Sequence, residues 1–146
     1  MTYVDDNATA RDRILALVRG STPAEMAEPM AGGWTIAAEL AHLAFWDRVH
    51  VGRLQAALEG GGELPGPLPP GLPDAINDSG LHGWRLIDGA AAVRLFEAAS
   101  AEVDAYLATL DPSVVERVRA AGLPRSVERH RHRTEHGDAI EAQRHR

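Results

Sequence analysis

Apolar residues recur at helical spacing over most of the chain, and no stretch alternates convincingly in the manner of a strand. The first periodic segment runs from about Asn7 to Gly20. Ile14, Leu15, Leu17 and Val18 share one broad face, with Arg11, Asp12, Arg13 and Arg19 largely around the rest. Asn7 or Thr9 is placed to cap its start, and Gly20 suits its end. Ser21-Thr22-Pro23-Ala24-Glu25 reads as a capping sequence with proline in the first helical turn, opening a short helix that Pro29 and Gly32-Gly33 close.

The second long helix is expected from about Thr35 to Glu59, where Ile36, Leu40, Leu43, Leu54 and Leu58 form a stripe. Asp47 and His50 interrupt that stripe at positions suited to apolar side chains. The Gly- and Pro-dense run from Gly60 to Pro73 predicts an irregular crossover rather than a domain boundary, because the helical segments on either side are too few for separate cores. A short helix follows from Asp74 to Leu86, then a long one from about Gly89 to Leu110, carrying Leu95, Phe96, Ala99, Val103 and Tyr106. Asp111 or Ser113 is placed to cap a further short helix through Val118. The last helix is expected from about Arg125 to Arg144, and Val127, Ala139, Ile140 and Ala142 are almost its only apolar residues. The sum is an all-α chain with one domain over residues 1–146: a four-helix bundle with one long crossover connection.

Composition narrows the function. The formal net charge of −6 disfavours nucleic acid as a partner, since phosphate binding needs a concentrated positive surface. No apolar run is long enough to span a bilayer, and the first residues lack the features of a signal peptide, so a cytoplasmic protein without a membrane partner is expected. There is no Cys, which excludes disulfides, thiolate metal ligands and a protein thiol nucleophile. Any metal must be held by nitrogen and oxygen.

Seven histidines are present, and four of them, His130, His132, His136 and His145, crowd the last helix. His132 and His136 stand one turn apart on the same face, a spacing that lets two imidazoles aim at one ion. The helix has too little apolar surface to dock by hydrophobic burial alone, and metal coordination would tie it to the bundle. A third ligand would come from another helix, and His42 sits beside the apolar stripe of the second one. Glu39, one turn before His42, is placed to orient an imidazole or to serve as a further ligand. His50 lies roughly 12 Å further along the axis, too far to share the ion easily, and is expected to line the same cleft or to pair with Asp47. Arg129, Arg131 and Arg133 with His130 read as a solvated face, Trp34, Trp46 and Trp84 as core or cleft packing, and Tyr106 as core.

Three stretches together resemble the DinB-like superfamily of bacterial four-helix-bundle proteins. They are Gly33-Trp34-Thr35-Ile36 with Glu39-Leu40-Ala41-His42-Leu43-Ala44-Phe45-Trp46-Asp47, Asp74-Ala75-Ile76-Asn77-Asp78 leading to Trp84, and His132-Arg133-Thr134-Glu135-His136 with Ile140 beyond. The resemblance implies a three-histidine site at His42, His132 and His136 with open coordination positions, taking one divalent transition metal such as zinc or nickel. It also implies kinship with mycothiol-dependent maleylpyruvate isomerase and with transferases that use bacterial low-molecular-weight thiols. Gly137 departs from the pattern, since an apolar residue is more usual there, and predicts a looser last helix.

An open site of this kind binds a thiol as thiolate or lowers the pKa of bound water. The first leads to a thiol-dependent transferase or isomerase with mycothiol or a similar thiol as cosubstrate. The second leads to a metal-dependent hydrolase in which Glu39, Asp47 or His50 is the base. A metal or small-ligand binding protein without catalysis is the remaining alternative. The expected partner is a small-molecule substrate or thiol, and a homodimer is compatible with so small a bundle.

Overall fold

The computed structural model describes residues 1–146 as helices and connections, without a strand. Seven α-helices follow one another: α1 (Tyr3–Val18), α2 (Pro23–Ala27), α3 (Ile36–Glu59), α4 (Leu72–Trp84), α5 (Gly89–Leu107), α6 (Pro112–Ala120) and α7 (His130–Arg144). The long ones, α1, α3, α5 and α7, close a ring of contacts in which each touches two others, which is the bundle expected. Short 3-10 turns at Ala31–Gly33 and Pro124–Ser126 lead into α3 and towards α7. The crossover from Gly60 onward is irregular, and Arg53 and Arg117 hold it by donating to the carbonyls of Gly66 and Gly62.

Two helix starts differ from expectation. Helix α1 begins four residues earlier than its apolar pattern, because Thr2 and Asp5 form a reciprocal capping box. Asn7, expected as its cap, is instead buried within it. Its Nδ2 donates to the Val127 carbonyl and its Oδ1 accepts from the His130 amide, each at 2.8 Å, so a residue of α1 caps α7. Helix α7 accordingly starts at His130 rather than near Arg125.

The core has two apolar clusters. Ile14, Ile36, Leu40, Leu43, Phe96 and Ile140 belong to one, and Val51, Leu54, Val103, Leu107, Val118 and Val127 to the other. Polar side chains fall between them: on α3, Asp47 lies between Leu43 and Val51, and on α5, Ser100 lies between Phe96 and Val103. Arg129 and Arg133 enter this layer from α7 and its approach, at 1% and 0% exposure. The reading of these two arginines as solvated is therefore wrong. Only Arg131 of the three is exposed, with Nε 2.6 Å from Glu128. Arg129 Nε bonds Asp47 Oδ1 at 2.8 Å, and Arg133 reaches Asp47 Oδ2 at 2.7 Å and Asp104 at 2.9 Å. Helix α7 is thus docked by buried ion pairs, which do not require a metal. Gly137 also serves that docking. A Cβ there would lie 3.2 Å from Arg13 Nη1 and 3.5 Å from Ile14 Cγ1, so glycine permits close approach to α1 rather than loosening the helix.

Candidate metal centre

His42 is buried on α3, and His132 and His136 project from consecutive turns of α7 with partial exposure. Their ring centroids are 4.5 to 5.0 Å apart, and one nitrogen from each ring lies within 4.8 Å of the others. These are the residues the sequence pointed to, and the fold brings them together. The contact between α3 and α7 does so, and the Arg133–Asp47 pair further along α3 helps to hold it.

Hydrogen bonds orient the rings. His136 donates from Nδ1 to the carboxylate of Glu39, which leaves its Nε2 for the shared point. Arg129 Nη2 lies 3.2 Å from His132 Nδ1, and a guanidinium can only donate, so this nitrogen accepts. The ring proton of neutral His132 is then on Nε2, which faces His42 Nε2 at 3.1 Å. For an ion at Nε2 that proton must leave, or Arg129 must turn from the ring. His42 Nδ1 is buried without a partner.

Burial keeps His42 and His132 neutral. Burial, reinforced by His136 and Arg129, pushes the His42 pKa down to about 3. Burial also drives His132 far below the ordinary histidine value, with further contributions from His136 and Arg129. A neutral imidazole is the form that ligates metal. Two indoles wall the third side of His42: Trp34 and Trp84 meet it edge-on with centroids 5.1 and 5.2 Å away. Trp46 is buried and fixes α4 by donating from Nε1 to Asn77 at 2.8 Å. The donor set therefore fits one divalent transition ion, with three nitrogen ligands that converge and no fourth protein ligand in the group.

The site opens into a cleft of about 750 Å³ that runs along α3 from Glu39 and His42 to His50 and Arg53. Leu68 of the crossover and Pro124 lie across it. The three carboxylate or imidazole groups proposed as bases are placed very differently. Glu39 is 5% exposed and engaged by His136. Asp47 is 0% exposed, does not line the cleft, and has both oxygens bound by guanidiniums, which is against its use as a base. His50 lines the cleft as expected, tilted against Trp46 with ring centroids 5.5 Å apart, and burial lowers its pKa to about 4 with help from Arg129 and Arg53. Tyr106 packs against the second apolar cluster and does not reach the cleft. Arg129 was missed as a neighbour of the histidine cluster. The one signal for it was the charged Asp47 inside an apolar stripe, which called for a buried counter-charge.

No helix is long and apolar enough to cross a membrane. No curated protein and no solved structure matches the chain. The family model of the DinB superfamily matches residues 7–137, from the buried Asn7 to the residue after His136, and takes in the whole histidine cluster and the α3–α7 contact that builds it; the chain belongs to that superfamily.

Proposed function

We propose that the protein binds one divalent transition metal, zinc or nickel, at His42, His132 and His136. With it, the protein activates a low-molecular-weight thiol such as mycothiol for a transferase or isomerase reaction on a small molecule in the cleft. The observation that carries this reading is the convergence of three imidazoles at one end of an open cleft, without a fourth protein ligand. The bound ion would supply a Lewis acid that keeps a thiol deprotonated near neutral pH.

The chain's own residues favour thiol over water as the nucleophile. A hydrolase needs a base near the nucleophilic water; Glu39 is spent on orienting His136, Asp47 is spent on two arginines, and His50 stands roughly 12 Å along α3 from His42. A thiol needs no such base once deprotonated, and its proton leaves to solvent through the open cleft. The absence of Cys requires that the sulfur arrive with a cosubstrate. Trp34 and Trp84 shield His42 from water.

Elemental analysis of protein purified without an affinity tag tests the first half, beside a His132→Ala, His136→Ala variant. About one transition metal per chain in the parent and none in the variant is expected. Cobalt-loaded protein tests the second half. Mycothiol should produce a thiolate-to-cobalt absorption band, and its absence with metal bound would leave a metal binder without thiol chemistry.

A further inference from the structure

The far end of the cleft has its own chemistry. Arg53 lies about three turns beyond His42 on α3, roughly 16 Å along the axis. It lines the cleft, and one of its amines is held by the Gly66 carbonyl at 2.7 Å. Its cationic neighbours in the cleft each face a carboxylate. Arg129 is paired with Asp47, Arg125 with Glu135 at 2.6 Å, and Arg131 with Glu128 at 2.6 Å. Arg53 has no carboxylate within 4.0 Å, so its guanidinium is fixed in place by a neutral group and carries an uncompensated charge.

His50 stands one turn before Arg53 on the same wall, and its side chain makes no hydrogen bond within the protein. Burial lowers its pKa, with Arg129 and Arg53 adding to the effect, and leaves it a neutral N–H donor. Leu68, Leu123 and Pro124 line the cleft nearby and give it apolar wall as well.

We propose that Arg53 and His50 form a carboxylate subsite, so that the cleft takes an elongated ligand with its reactive head at the histidines and a carboxylate at Arg53. A single unpaired guanidinium matches one negative charge, and its fork presents two parallel donors to a carboxylate. A phosphate dianion would call for a second free cation, and none lines this end. The placement of the reactive head rests on the metal-centre reading above; the carboxylate subsite does not.

The test separates the two. Isotope-labelled, metal-free protein is titrated with hexanoate and, as the uncharged control, hexanol, following amide resonances by NMR. Hexanoate should shift His50, Arg53 and Gly66 saturably. Its affinity should fall at least about tenfold in Arg53→Gln, recover in part in Arg53→Lys, and be unchanged in Arg19→Gln on the exposed end of α1. Equal affinity in the parent and in a folded Arg53→Gln variant, or shifts matched by hexanol, overturns the subsite. Cobalt-loaded protein is then offered 11-mercaptoundecanoate and 11-mercaptoundecanol, whose extended length approaches the separation of the two ends. A preference for the acid of about tenfold or more that Arg53→Gln abolishes joins the two ends of the cleft in one ligand. If cobalt is not taken up, the metal centre fails and the hexanoate titration alone decides the subsite.

Discussion

Arg133 Nη2 lies 2.7 Å from Asp47 Oδ2 with both side chains wholly buried, and this pair joins α7 to α3 at the level where the histidines must meet. Asp47 also receives Arg129, so one carboxylate compensates two guanidiniums. Removing it strands Arg129 in the core and leaves Arg133 with Asp104 alone. Asp47→Ala should therefore lose about 3–5 kcal/mol of stability. Urea denaturation of metal-free protein measures this, and a loss below about 1 kcal/mol would mean that the arginines find water or other partners.

The second expectation concerns Glu39, whose carboxylate accepts from His136 Nδ1. Glu39→Gln keeps the size of the side chain and removes its charge. Partners of this kind set ligand basicity and ring orientation, so zinc affinity should fall about 10- to 100-fold while the helical content stays constant. Competition with a chromophoric chelator gives the affinity. An unchanged value would make Glu39 a bystander.

Much of this arrangement is legible in the sequence, for reasons that differ by residue. The pair at His132 and His136 is visible because one helical turn fixes their relation, and His42 is visible through its place beside an apolar stripe. The buried arginines are not visible. On α7 they look like any charged face, and their partners Asp47 and Asp104 are distant in sequence. Asn7 misleads for the same reason: its short polar side chain suits the start of its own helix, yet it caps another one more than a hundred residues away. Local pattern sets the elements, whereas polar contacts across the bundle depend on packing that no local pattern encodes.

Acid should destabilise the metal-free fold through its neutral histidines. Folding lowers the pKa of His42 to about 3 and of His50 to about 4 from an ordinary value of 6.5. Between the folded and unfolded values the unfolded chain binds protons that the folded chain refuses. The stabilising contribution is thus complete above pH 6.5 and is lost as pH falls towards 4. Each group adds a slope of at most ~1.4 kcal/mol per pH unit. Urea midpoints at about pH 7.5 and about pH 5 should differ clearly, and His50→Gln should flatten part of the difference. A flat profile would show that these rings take up protons freely within the fold.

The wall of His42 rests on a glycine. A Cβ at Gly80 would lie 2.6 Å from Cη2 and Cζ2 of Trp84, so the indole lies directly on the backbone of its own helix. In an ordinary helix Gly→Ala stabilises by ~1 kcal/mol. Here Gly80→Ala must push away the ring that meets His42 at 5.2 Å, and the gain should vanish or reverse. In a Trp84→Ala background the obstruction is absent and the ordinary gain should return. A double-mutant cycle between the two positions should therefore give a coupling of about 1 kcal/mol or more. Gly80→Ala alone should also shift tryptophan emission and weaken zinc binding, because water then reaches His42. Strict additivity, with unchanged emission, would show that Trp84 is held by contacts other than Gly80 and that His42 does not depend on it.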